Sequence, residues 1–136
     1  MMKIVQGEEI RAALKRHYRT YLCGKNLIPE SFDAVETEGL EIGITHYAKY
    51  TLEKPHYHKW NKEYNIILAG KVKVFLIDEQ KEFEFCNDDM YVIEPNMNYI
   101  TKAQKGTKVL FVKSPGGNDK CVTEMNEVLK AWGEKW

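Results

Sequence analysis

Residues 56–70 read HYHKWNKEYNIILAG, and this stretch decides how the rest of the chain is read. His56 and His58 stand two apart in an extended context, so the strand period of two sends both imidazoles to one face. Lys59 to Lys62 carry turn chemistry, and Glu63 then opens a second strand that closes at the Ala69-Gly70 turn. A hairpin of this kind brings the Glu63 carboxyl back beside the two imidazoles. Two neutral imidazoles and one carboxylate meeting at a point form a mixed nitrogen and oxygen site suited to a divalent ion, with positions left for water or substrate.

The same rhythm extends on both sides. From Leu40 to Val112 short runs of period-2 character alternate with turn residues, and strands are expected near 41–52, 55–58, 63–69, 71–77, 82–86, 90–93, 97–103 and 107–113. Many short strands with no helices between them cannot form a parallel sheet, so the core is expected to be all-β, a sandwich or barrel of antiparallel strands. Outside it the apolar period lengthens. Ile10, Ala13, Leu14, Tyr18 and Leu22 recur at helical spacing, predicting a helix over about 8–22 that stops at Gly24, with Pro29 beyond. After the loop at Ser114 to Asn118, Met125, Val128, Leu129, Trp132 and Trp136 predict a closing helix over about 123–136. A single domain over 1–136 is expected, with its barrel at about 40–113.

Lysine plus arginine equals aspartate plus glutamate at 20 each, and the signs are mixed along the chain. A nucleic-acid or anionic-membrane surface would show a basic excess or stripe, so neither partner is expected and a small-molecule ligand is. Cys23, Cys86 and Cys121 are an odd number without CxxC spacing, and no apolar run resembles a signal core or a membrane span. A reducing cytoplasm fits this usage, with the thiols as small apolar side chains. Edge strands and apolar terminal helices commonly bury themselves against a twin subunit, so a homodimer is expected.

The string from His56 to Gly70 resembles the first motif of the cupin superfamily: HxH, three or four residues, Glu, six residues, Gly. His56, His58, Glu63 and Gly70 match it, and Tyr50 stands where the family places a Gly six residues earlier. The second motif is degenerate. Pro95 is kept, but Asp89 and Met97 replace its glycines, Gln104 replaces its Asn, and Ile100 stands where the fourth metal ligand would be. The resemblance implies a double-stranded β-helix, or jelly-roll barrel, and a metal held by His56, His58 and Glu63. Fe, Mn, Ni and Zn all suit such ligands.

His46 is a further candidate for the cavity, since Ile42, Ile44, His46 and Ala48 form one alternating face; a hydrogen-bonded rim histidine is the alternative. Asn65 shares a face with Glu63 and Ile67 and is expected as a polar wall residue, with Ile100 as an apolar one. Tyr47, Tyr64, Tyr99 and Trp60 are placed to stack on a sugar ring or to cover a rim. Three functions compete: a metal-dependent enzyme, such as an oxygenase or isomerase, acting on a small polar and possibly sugar-type substrate; a metal-free acid/base catalyst, since PHYHK resembles the HxHK segment of cupin sugar-nucleotide ketoisomerases; and a ligand-binding cupin without turnover.

Overall fold

The structure, a computed structural model, describes residues 2–25, 27, 32 and 34–136. It opens with the helix α1 (Gly7–Arg16), where Glu9 accepts from the Gln6 backbone N–H and Lys15 and Arg16 lie in the last turn, complementing the helix dipole. Ala13 and Leu14 form its buried side. The expected helix to residue 22 ends early. At His17 the backbone turns extended (φ −134°, ψ 140°), and Arg19–Gly24 become the strand β1. Thr20 and Tyr21 favour extended backbone, and the open edge of the Glu41–His46 strand offers a full ladder of partners, which outweighs local helical spacing.

The remaining strands are β2 (Val35–Glu36), β3 (Glu41–His46), β4 (Thr51–Leu52), β5 (His56–His58), β6 (Lys62–Ala69), β7 (Lys71–Leu76), β8 (Lys81–Cys86), β9 (Met90–Ile93), β10 (Tyr99–Ala103), β11 (Lys108–Ser114) and β12 (Lys120–Val122). They form two sheets, one ordered β2-β1-β3-β11-β6-β9 and the other β12-β5-β10-β7-β8, with β4 also paired to β10. Among the described residues every pairing is antiparallel except β1 with β2. The expected all-β jelly roll is therefore present, and its strands between 55 and 114 fall close to the sequence expectation, whereas the single strand expected over 41–52 is two, β3 and β4, which pair in different sheets. β12 was not foreseen, because three residues between a Gly-rich loop and a helical stripe carry too little periodicity to register.

Ile67, Val72, Val74, Ile93, Ala103 and Val109 fill the space between the sheets, together with Tyr47 and Tyr99, whose hydroxyls face the polar cavity described below. The closing helix, α2 (Glu127–Gly133), is shorter than the stripe from Met125 to Trp136 suggested, and Val128 is exposed. It is capped by the Asn126 side chain, which accepts from the Leu129 N–H, and it lies on the outer face of the second sheet. There Trp132 packs on Phe75, and buried Lys102 donates to the carbonyls of Trp132 and Lys135 with its ammonium 4.0 Å from the centre of the Trp132 ring. Tyr50, in the place of a family glycine, donates its hydroxyl to Gly133 O at 2.6 Å and ties the same helix down. Among the described residues no helix is long and apolar enough to cross a membrane.

Gly70 joins β6 to β7 at φ +89°, in the left-handed region. A Cβ there would meet Thr107 Oγ1 and stand 2.6 Å from the Thr107 Cα. Gly70→Ala therefore combines backbone strain with a collision against main chain, and a loss of about 2 kcal/mol is expected in urea unfolding. An unchanged midpoint would contradict this account of the turn.

Candidate active site

β5 and β6 place the HxH and Glu63 side chains as the hairpin argument requires. His56 and His58 are both buried, their rings 5.2 Å apart and nearly perpendicular, and Glu63 Oε2 lies 3.2 Å from His58 Nε2. All three line a cavity of about 70 Å³ between the sheets, with Asn65 and Tyr99. At roughly 15 Å³ for each water-sized position, this is room for about five waters or the reacting end of a small molecule.

The hydrogen bonds around the imidazoles have a direction. His56 Nδ1 faces the carbonyl of Lys54 at 2.8 Å, which can only accept, so Nδ1 carries the proton. The neutral ring then accepts through Nε2 from the Tyr99 hydroxyl at 2.9 Å. His58 Nδ1 faces the Asp119 carboxylate at 2.8 Å and likewise carries a proton. Its Nε2 faces the Glu63 carboxylate at 3.2 Å and the Tyr99 oxygen at 3.4 Å, both acceptors toward it, so Nε2 needs a proton as well. Both ring nitrogens of His58 thus face acceptors, an arrangement that favours the imidazolium, and the order runs from Glu63 and Asp119, through His58 and Tyr99, to a neutral His56.

The titration directions agree. Burial, with the charges of Lys120 and His58, outweighs the Lys54 carbonyl and holds His56 down to about 4. Burial would also lower His58, but hydrogen bonds and charge from Glu63 and Asp119 outweigh it and the pKa is raised. Glu63 would be raised by burial and is instead lowered by His58, with Lys113 adding to the effect. Burial, then the charge of Glu63, lifts Tyr99 well above the ordinary phenol value, so the hydroxyl keeps its proton.

Asp119 went unnoticed in the sequence, and it organises one side of the site. Its Oδ1 accepts from His58 Nδ1 and from Asn61 Nδ2 at 2.6 Å, while Oδ2 accepts from the backbone N–H groups of Trp60 and Asn61 at 2.8 and 2.7 Å. The neighbouring β12 then pairs with β5, Lys120 opposite His58. Arg19, the first residue of β1, also reaches the cavity and bonds Thr45 Oγ1 at 2.9 Å and Glu53 at 3.3 Å; Glu53 in turn accepts from Tyr47 at 2.6 Å.

Two expected wall residues lie elsewhere. On β10 it is Tyr99 and Thr101 that line the cavity, while Ile100 faces outward beside its register partner Phe75, on the face that α2 covers. Its complete burial is that of an outer layer, so Ile100, the residue the degenerate second motif aligns with a ligand, does not reach the cavity, and its neighbour Tyr99 does. On β3 the inward residues are Gly43 and Thr45, opposite Phe111 and Val109, and His46 pairs outward with Lys108. The Ile42, Ile44, His46 face is apolar because the outer side of that sheet is itself buried at Ile44. Tyr47 lines the cavity as an aromatic wall, whereas Trp60 is exposed.

The donor set bears on a metal. Both imidazoles are anchored through Nδ1 by acceptors, the outer-layer arrangement that aims Nε2 at an ion, and Glu63 stands beside one of them. Those residues suit a divalent cation, although among the described residues no three His, Cys, Asp or Glu side chains are gathered as a ligand set and the Tyr99 hydroxyl stands between the two Nε2 atoms.

No protein-family model matches the chain, and no curated protein matches its sequence. Solved structures do match. An uncharacterized conserved protein with a double-stranded β-helix domain from Klebsiella pneumoniae subsp. pneumoniae MGH 78578 aligns over 92% of this chain and all of its own, with 13% identity and a TM-score of 0.61. The DMSP lyase DddQ from Ruegeria pomeroyi DSS-3 aligns over 77% of this chain and 50% of its own, at 14% identity and a TM-score of 0.62, so this chain spans half of that enzyme. An RmlC-like cupin from Shewanella frigidimarina NCIMB 400 aligns over 61% of this chain and 72% of its own, at 14% identity and a TM-score of 0.54. Strand order, the hairpin that carries HxH and Glu63, and these neighbours agree that the chain has the fold of the cupin superfamily.

Proposed function

We propose that the chain is a small-molecule enzyme that moves a proton within its substrate, with His58 as the acid and His56, acting through the Tyr99 hydroxyl, as the base. The observation behind this reading is the directed hydrogen-bond chain from Glu63 through His58 and Tyr99 to His56. Two adjacent imidazoles with opposite protonation states supply an acid and a base at one pH. A substrate carbonyl oxygen would take a hydrogen bond from His58 Nε2. The Tyr99 oxygen would remove the proton from the neighbouring carbon while its own proton passes to His56 Nε2. Reprotonation at a different carbon gives isomerisation, and departure of a group one carbon further on gives elimination; one fold neighbour is a lyase by name. The cavity volume favours a small polar substrate over an enclosed sugar nucleotide.

The test is exchange of carbon-bound protons in D2O, followed by proton NMR on a panel of small oxo-acids, hydroxy-ketones and sugars. The parent is expected to exchange at least one of them well above the buffer rate, and Tyr99→Phe to fall by about 100-fold or more. Exchange undiminished in Tyr99→Phe would remove Tyr99 from the base and this reading with it.

The Nδ1 anchors favour a second reading, in which His56, His58 and Glu63 hold a divalent Fe, Mn, Ni or Zn ion. Such an ion would supply Lewis-acid polarisation where the His58 proton supplies it otherwise. Elemental analysis of protein purified without an affinity tag separates the two. About one equivalent of metal in the parent and little in His58→Ala supports the ion; none in either leaves the proton chain.

A further inference from the structure

Resting on the proton-transfer reading, we infer that the substrate is a small carboxylate bearing a second acceptor oxygen, a hydroxy- or oxo-acid, whose charge is received by Lys120 and whose second oxygen is received by Asn65. The charged groups around the cavity show why Lys120 is the receiving cation. Arg19 is held by Glu53 at 3.3 Å and Lys113 by Glu41 at 2.9 Å, while the His58 imidazolium lies between Glu63 and Asp119. Lys120 lines the same cavity with no ion-pair or hydrogen-bond partner for its ammonium among the described residues. Its direction is fixed by the ladder. Lys120 is the register partner of His58, and opposed residues of an antiparallel pair share a face, so its side chain lies on the imidazole side, where it lines the cavity and is exposed to solvent.

Asn65 provides the independent observation. It is 4% exposed, lines the cavity from the opposite sheet, and its Nδ2 has no hydrogen-bond partner among the described residues. A buried amide donor without an acceptor is costly, and a ligand oxygen would satisfy it. A cation in one wall and an unsatisfied donor in the facing wall, with the imidazoles at the same cavity, describe a ligand with acceptor oxygens at two points. A carboxylate suits this better than a phosphate dianion, because Glu53 and Glu63 line the same space and oppose a second negative charge.

The experiment titrates the full chain, labelled with nitrogen-15, with lactate, pyruvate, acetate and the uncharged lactamide, following amide shifts to saturation. Lactate and pyruvate are expected to bind at millimolar levels, displacing the Asn65 side-chain NH2 resonances, with lactamide weaker by about tenfold or more. Lys120→Met should weaken lactate by about tenfold and leave lactamide unchanged, since only the charge is removed. Asn65→Leu should abolish the preference for lactate over acetate. Equal binding of lactate and lactamide, undiminished lactate binding by Lys120→Met, or no saturable shift from any carboxylate at tens of millimolar would each overturn the inference. Binding is read without turnover, so failure of the Tyr99 exchange test leaves this result standing, and failure here leaves the exchange test standing.

Discussion

Asp119→Ala is expected to destabilise the protein by about 3–5 kcal/mol, the range for removing one partner from a buried, hydrogen-bonded charge pair. The carboxylate side chain is fully buried and accepts four hydrogen bonds, from His58 Nδ1, Asn61 Nδ2 and the N–H groups of Trp60 and Asn61. Alanine leaves all four donors facing a gap, and two of them belong to the backbone of the turn between β5 and β6, which cannot swing out to water without opening the hairpin. Burial would raise the carboxyl, but the N–H groups of Trp60 and Asn61, followed by His58, hold it below its ordinary value. That contribution is present above the ordinary aspartate range and fades as pH falls through the depressed native value. Urea unfolding at neutral pH measures the loss. A drop of less than about 1 kcal/mol, with the His58 titration unmoved, would show that the carboxylate is not the centre of this network. Asp119→Asn separates charge from shape: its amide nitrogen points a donor at donors, so it should lie close to alanine rather than to the parent.

Asp119 also marks the limit of what the sequence discloses. HxH and Glu63 were legible because the two periods that place them, alternation along a strand and return through a short turn, are local. Asp119 reaches His58 across 61 positions of chain, in a Gly-rich loop with no pattern of its own, and only the pairing of β12 with β5 brings it there. Alternation defines two faces of a strand without saying which is the cavity when both are buried. Hence the alternation points His46 and Ile100 inward, whereas the structure turns Thr45 and Tyr99, one residue away on each strand, to the cavity. The strand at Arg19–Gly24 was hidden for a related reason: the helical spacing through Tyr18 and Leu22 is real, and a tertiary ladder with β3 overrides it.

His56 and His58, two residues apart on one strand, are expected to titrate on opposite sides of the ordinary imidazole value. His56 is held down to about 4, chiefly by burial, while the flanking carboxylates overcome burial at His58 and raise it. The effects on stability have opposite signs. Between pH 6.5 and about 4 the unfolded chain takes up a proton at His56 that the native ring refuses, so falling pH removes stability, on the order of 3 kcal/mol at full extent. The His58 contribution is fully present below the unfolded value and is lost as pH rises through the raised native one. Long-range nitrogen-15 spectra of the imidazoles, recorded on metal-stripped protein, resolve the two rings and their tautomers. His56 should stay neutral with its proton on Nδ1 well into acid, and His58 should carry both protons at pH 6.5. Glu63→Gln should lower His58 and move His56 far less, because Glu63 bonds His58 directly and is not among the main influences on His56. Two rings titrating together near 6.5 would dissolve the division into acid and base, since neither could then hold the opposite protonation state from its neighbour at working pH.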